Sequence, residues 1–148
     1  MYLILDTMTI QPWTTILLGA LLLSLITVES GGWFLTRVGR GAIPANTLQK
    51  NFYRAGHAHA AVLLLLSVAV IPLLDTVELP LALDLVGRFG IPVAALLMPA
   101  GFFLSVLGTD PQKPGRPFVL LWIGAASLTL GLAAAGIGLI GGGIAQLP

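Results

Sequence analysis

Four long hydrophobic runs alternate along this chain with segments of polar and turn-forming residues. The runs extend from about Trp13 to Leu35, Thr47 to Leu74, Phe89 to Leu107 and Phe118 to Ile144. Each has about 20 residues or more, the length at which an α-helix crosses the hydrocarbon core of a bilayer. The pattern predicts an all-α fold, a polytopic integral membrane four-helix bundle, with one transmembrane domain over residues 1–148.

The start of the second helix has a local signal in the sequence. Asn46 is followed three residues later by Gln49, a spacing typical of a capping box, and Pro44 lies just before it. In this motif each side chain satisfies a backbone N–H that the first turn leaves without a partner. We therefore expect helix 2 to begin near Thr47.

The third and fourth helices have features of their own. Helix 3 contains Pro92 and Pro99, which membrane helices tolerate, so we expect a kink rather than a break. The segment 76–88 before it is either an interfacial turn of helix or an extension of helix 3. On helix 4 a stripe of small residues lies on one face. Its members are Ala134, Gly138 and Gly142. Packing within the monomer is favoured for this stripe over an oligomer contact.

Composition supports a lipid environment. Hydrophobic residues make up 57% of the chain and charged residues 9%, whereas soluble domains carry about 25% charge. A net charge of +1 recruits no nucleic acid. The absence of cysteine excludes disulfides, thiolate ligands and covalently attached haem. The first twelve residues contain Asp6 and no basic residue, so we expect the first run to be retained rather than cleaved as a signal peptide.

The charges are distributed unequally between the two ends of the predicted bundle. Six of the seven basic residues lie in or beside two loops, namely Arg37, Arg40, Lys50, Arg54, Lys113 and Arg116. The opposite end has only Arg88, together with the acidic residues Asp6, Asp75, Glu78 and Asp84. We interpret Asp75, Glu78 and Asp84 as a solvated rim. The positive-inside rule then predicts a plasma or inner membrane protein with cytoplasmic basic loops and both termini outside.

Ionisable residues inside the predicted spans are the candidates for chemistry, because a charge in lipid is costly. They are Glu29 on helix 1 and Arg54, His57 and His59 on helix 2. The antiparallel helices should bring Glu29 to the depth of His57, where a carboxylate fixes the tautomer of an imidazole. The two histidines lie about 200° apart around the helix, so they cannot both bind one small metal ion.

The residues around these imidazoles are small, in the segment Arg54-Ala55-Gly56-His57-Ala58-His59-Ala60-Ala61. Such clearance suits a wide planar ligand such as haem, with Arg54 pairing with a propionate. Alternatively, Gly56 and the alanines permit tight helix packing, or Glu29 and the histidines form a path for protons or ions. The residues alone leave all three hypotheses open and slightly favour packing. Elsewhere, we interpret Met98 as a core residue, and Tyr53 and the three tryptophans as interfacial anchors.

Three short segments resemble the styrene oxide isomerase type of small membrane protein. They are Ala58-His59-Ala60-Ala61 on helix 2, Gly101-Phe102-Phe103-Leu104 on helix 3, which is similar to the family's Gly-Phe-Tyr-Leu, and the basic loop from Asp110 to Gly115. The spacing from His59 to Phe103 and the number and length of the helices also agree. The resemblance implies a trimer whose subunits hold haem b through one histidine of helix 2. In that family the ferric iron acts as a Lewis acid on an epoxide oxygen and gives an aldehyde.

The resemblance marks His59 as the axial ligand of the iron and puts His57 where the family has a basic residue. The family's catalytic tyrosine falls on Phe103, which has no hydroxyl, and its asparagine and aspartate fall near Leu65 and Ala95. A pocket without these polar groups cannot orient an epoxide in the same way. The resemblance therefore supports a haem site more than it supports isomerisation.

These observations together predict a homo-oligomeric membrane protein that binds haem b. His59 is the expected ligand and His57 the alternative, with Arg54, Glu29 and Phe103 as supporting contacts. The iron would serve an isomerase-like reaction on a small apolar substrate, electron transfer or gas sensing. Two other classes compete, a small proton-coupled transporter or channel subunit and an accessory subunit of a larger membrane complex.

Overall fold

A computed structural model describes residues 10–148, and within that range the secondary structure is entirely helical. The four α-helices are α1 (Pro12–Gly39), α2 (Thr47–Val70), α3 (Leu81–Leu104) and α4 (Val119–Ala145). Two 3₁₀ helices, Ile71–Thr76 and Arg116–Phe118, follow α2 and precede α4. All four spans are long and apolar enough to cross a membrane, which confirms the predicted helical class. Asp6 lies outside the described residues.

The predicted capping box at the start of α2 is confirmed. The Asn46 side chain accepts a hydrogen bond from the Gln49 backbone N–H at 2.9 Å, and the Gln49 side chain accepts one from the Asn46 N–H at 3.0 Å. The Asn46 amide also donates to Asp110 and to the Pro111 carbonyl, and the Gln49 amide donates to the Val106 carbonyl. These bonds tie the α1–α2 loop to the α3–α4 loop, so both basic loops lie at one end, here called the basic end.

Helix α3 begins at Leu81, about two turns before its predicted start at Phe89. Of the undecided segment 76–88, residues 81–88 therefore extend the helix. Pro80 occupies the N-cap position, and Asp84 lies in the first turn, where the positive end of the helix dipole stabilises a carboxylate. The helix continues through both Pro92 and Pro99. Its full length therefore reaches from the basic end to the opposite end of the molecule.

Helices α3 and α4 approach each other most closely at Gly90 and Gly131. A Cβ atom added to Gly90 would lie 2.5 Å from the Gly131 Cα atom, so no side chain fits between the two backbones. Next to this contact the Ser127 hydroxyl donates to the Gly90 carbonyl at 2.9 Å. Glycine at both positions is required for this crossing.

The small-residue stripe of α4 packs within the chain, as the sequence favoured. Ala134 is buried, a Cβ atom on Gly138 would meet Leu79 at 2.9 Å, and one on Gly142 would overlap Val77. The stripe thus packs against Val77 and Leu79, in the segment between the first 3₁₀ helix and α3.

The apolar core runs along the middle of the molecule. It contains side chains from α1, α2 and α3, among them Leu21, Leu63, Ile91 and Met98, and α4 packs against it through partly buried residues. The burial of Met98 confirms its interpretation as a core residue. Large apolar side chains also cover the outer faces, for example Ile16, Leu23, Leu96, Leu130 and Ile137.

An ion-pair cluster lies at the end opposite the basic end and corrects the interpretation of two carboxylates as a solvated rim. Arg88 Nη1 lies 2.6 Å from Asp75 Oδ1, and Arg88 Nε lies 2.5 Å from Asp84 Oδ1. The Arg88 and Asp75 side chains are only 6% and 3% exposed, and Thr14 bonds to both of them. The 3₁₀ helix after α2 places Asp75 next to Arg88, which a linear reading of the sequence does not reveal. Glu78 is exposed, as a rim residue should be.

Candidate functional site

His59 lies near the middle of α2 and has one defined polar contact. Its Nδ1 atom is 2.7 Å from the backbone carbonyl oxygen of Ala55, one turn earlier. A carbonyl oxygen only accepts hydrogen bonds, so Nδ1 carries a proton, and in the neutral imidazole Nε2 then has the lone pair. Within residues 10–148 the ring makes no second hydrogen bond, and it is half-buried. Nε2 is therefore available as a metal ligand or as a hydrogen-bond acceptor.

A row of aromatic rings, here called the aromatic strip, leads from His59 towards the basic end. The His59 ring lies 5.0 Å from that of Phe102 on α3, which lies 5.6 Å from Phe52 on α2. Phe52 lies 6.0 Å from Phe118, and Phe118 lies 6.4 Å from Trp122 at the start of α4. The strip thus consists of Phe52, Phe102, Phe118 and Trp122. It forms a continuous apolar surface across three helices.

His57 occupies the opposite flank of α2 and packs against α1. A Cβ atom on Gly31 would lie 3.2 Å from His57 Nδ1, and one on Gly32 would lie 3.6 Å from His57 Cε1. The imidazole therefore fits against the α1 backbone where two consecutive glycines leave room for it. It forms no hydrogen bond within the described part of the chain. The packing interpretation describes this histidine well.

The two histidines face different neighbours, as their spacing predicts. His57 contacts α1, whereas His59 contacts Phe102 on α3. Within residues 10–148 no group of three or more histidine, cysteine, aspartate or glutamate side chains is placed to hold a metal ion. A metal site at His59 would therefore receive one imidazole nitrogen from this part of the chain.

The structure does not bring the predicted supporting charges to His59. Glu29 is exposed on α1 and forms no ion pair with His57 among the described residues. Arg54 is also exposed, and it precedes His59 by five residues, which is about 140° around the helix. Arg54 therefore lies on a different flank of α2 from His59.

The small residue between the two histidines serves helix packing. A Cβ atom on Gly56 would lie 2.8 Å from Phe103, so α3 packs directly onto the α2 backbone at this point. Phe103 stacks on Tyr53 at 5.5 Å, and Tyr53 meets Phe34 of α1 edge-on at 5.2 Å. Tyr53 is 9% exposed, so its interpretation as an interfacial anchor is wrong: it fills the space between three helices. Phe103 belongs to this cluster rather than to the aromatic strip.

Three open clefts are lined by neither histidine. One of about 860 Å³ borders Asp75 and Arg88, one of about 410 Å³ lies between α3 and α4 near Gly90, and one of about 570 Å³ lies beside Asn46 and Asp110. His59 and the aromatic strip line none of these three clefts; they form a partly exposed face, on which only Trp122 is largely exposed.

Over residues 10–148 the fold and this face define a class of protein: a helical structure with four helices able to cross a membrane and a histidine at mid-helix whose Nε2 has no hydrogen-bond partner there. Comparison with family models, with curated proteins and with solved structures gives no match for the chain.

Proposed function

We propose that the chain is a multi-pass membrane protein that binds haem b through Nε2 of His59. The observation that carries the proposal is the hydrogen bond from His59 Nδ1 to the Ala55 carbonyl. This bond fixes the tautomer and the orientation of the ring, as such bonds do for metal-ligating histidines. It leaves Nε2 of the neutral ring without a hydrogen-bond partner among the described residues, with the lone pair that iron requires.

Two features support placement in a membrane. The outer faces of the four helices carry large apolar side chains, which water would solvate poorly. The charged residues lie mainly at the two ends: five of the seven basic residues lie in or beside the two joined loops, and Arg54 lies two turns into α2. The proposed orientation puts the basic end in the cytoplasm and both termini outside.

The surroundings of His59 fit a broad, flat and apolar group. The aromatic strip offers apolar ring faces and edges from mid-helix to the basic end, because Phe52 meets Phe102 edge-on at 78° and the ring planes of His59 and Phe102 are tilted by 39°. Because this face is only partly covered by the chain itself, a second copy of the chain is the proposed cover for the outer side of the cofactor. His57 remains the alternative ligand, but its ring already lies against the α1 backbone.

When bound, haem would supply a Lewis-acidic and redox-active iron at this face. The chain itself supplies orientation and an apolar environment there. The nearest aromatic groups, Phe102 and Phe52, have no proton to donate, and Phe103 packs against Tyr53 instead. A small apolar ligand or substrate therefore fits this site better than one that needs acid–base side chains. The proton-relay hypothesis gains no support, because Glu29 and His57 do not pair.

The test is a haem titration of the detergent-purified protein followed by visible absorption. The proposal predicts a saturable Soret band at one haem per chain, and its loss in His59→Leu. The matched variant His57→Leu should retain the band, because it changes the other flank of α2. A wild-type protein that gives no Soret band distinct from that of free haem would refute the proposal.

A further inference from the structure

The aromatic strip ends next to a basic residue that the sequence did not connect with His59. We infer, on the basis of the proposed function, that Arg116 binds the carboxylate edge of the planar ligand. Arg116 begins the 3₁₀ helix that ends at Phe118, a member of the strip. Its side chain is exposed and forms no ion pair or hydrogen bond within residues 10–148. It is therefore free to receive an anionic group.

The direction of the strip fixes which edge of a ligand reaches this residue. Phe52 precedes His59 by seven residues, two helical turns, so both side chains lie on nearly the same face of α2 about 10 Å apart. Phe118 packs against Phe52, at the end of the strip nearest the basic end. A flat group centred on His59 and lying along the strip has one edge at this end. In haem b both carboxylates lie on a single edge, and a guanidinium binds a carboxylate through two parallel hydrogen bonds.

Arg54, the partner expected from the sequence, lies in the wrong place for this role. It precedes His57 by three residues and therefore shares that histidine's flank of α2. A carboxylate held by Arg54 would belong to a ligand on the α1 side. A ligand on the His57 flank of α2 would therefore depend on Arg54, whereas a ligand on the His59 flank would depend on Arg116.

The experiment compares two porphyrins that differ at one edge: haem b and its dimethyl ester, in which methyl groups block both carboxylates and remove their charge. Dissociation constants are measured for the wild-type protein, Arg116→Gln, Arg54→Gln and Lys113→Gln. Lys113 is the matched control, because it is exposed in the same loop but is not adjacent to the strip. Arg116→Gln should weaken haem b binding about tenfold and leave the ester unaffected. The other two variants should change either affinity by less than about twofold.

Any other pattern of affinities contradicts the inference. Equal weakening of both porphyrins by Arg116→Gln indicates a structural role, and equal weakening by Lys113→Gln indicates a diffuse charge effect. If Arg54→Gln is the only variant that weakens haem b binding, the ligand lies on the His57 flank of α2. If the wild-type protein binds neither porphyrin, the proposed function itself fails, and the inference fails with it.

Discussion

The Nδ1 atom of His59 lies 2.7 Å from the carbonyl oxygen of Ala55, within the same helix. This single contact distinguishes the two histidines of α2. It satisfies one nitrogen of His59 and orients the other, whereas His57 rests against the two glycines of α1. The same residue type therefore has two roles two positions apart, a candidate ligand on one flank and a packing residue on the other.

Replacement of Arg88 should destabilise the protein strongly. Arg88→Met leaves the buried Asp75 carboxylate without its counter-charge, a loss that typically costs about 3–5 kcal/mol. The apparent Tm in detergent should fall by about 10 °C. Arg37→Met is the control, since Arg37 is exposed, lies over the Trp33 ring at 4.9 Å and has no ion pair within residues 10–148, so its loss should cost less than about 1 kcal/mol. Equal effects of the two variants would show that the ion-pair cluster does not stabilise the fold.

The contact between α3 and α4 should not tolerate a methyl group. In Gly90→Ala the new Cβ atom would lie 2.5 Å from the Gly131 backbone, so the helices must separate along their tightest crossing. We expect a loss of about 1–3 kcal/mol, the usual cost of overpacking, seen as a lower apparent Tm. Gly136→Ala in α4, which has no neighbour within 4 Å, should be neutral or stabilising because alanine favours helix. The prediction fails if Gly90→Ala is as stable as Gly136→Ala.

Asn46 joins a helix cap to a contact between two loops. Asn46→Ala removes the cap, worth about 1 kcal/mol, and the hydrogen bonds to Asp110 and Pro111, worth about 1 kcal/mol each. Limited proteolysis of the α3–α4 loop should accelerate along with a fall in apparent Tm. Asn51→Ala, an exposed change one turn later, should alter neither measurement. Unchanged proteolysis in Asn46→Ala would mean that the loops are held together by other contacts.

The orientation can be tested directly, because the chain contains no cysteine. Single cysteines at exposed Lys113 and exposed Glu78 lie at opposite ends of the helices. In intact cells a membrane-impermeant maleimide should label Glu78→Cys at once and Lys113→Cys only after permeabilisation. The reverse pattern would show that the basic end faces outside.

Local chemistry and hydropathy made the helices predictable from the sequence. The length of the apolar runs predicts the four spans. The capping box at Asn46 and Gln49 predicts the first residue of α2, Thr47. The early start of α3 was harder to predict, because the charges of Asp84 and Arg88 resemble those of a loop. Their spacing of four residues, typical of an ion pair within a helix, was the signal that could have revealed it.

For the candidate site, the sequence predicted only those features that depend on the geometry of a single helix. The opposite flanks of His57 and His59 follow from helical periodicity alone. The packing of His57 against Gly31, the burial of Tyr53 and the pairing of Arg88 with Asp75 all depend on how different helices meet. The antiparallel register of α1 and α2 would have suggested the glycine contact, but the 3₁₀ helix that turns Asp75 inwards has no comparable signal in the sequence.

The most direct test of the central claim is rescue of an imidazole deletion by free imidazole. His59→Gly and His57→Gly are each titrated with haem, with and without added imidazole, and the Soret band is recorded. We predict that His59→Gly lacks the wild-type spectrum and regains it with imidazole, whereas His57→Gly keeps it throughout. A wild-type spectrum in His59→Gly without imidazole would contradict the assignment of His59 as the ligand.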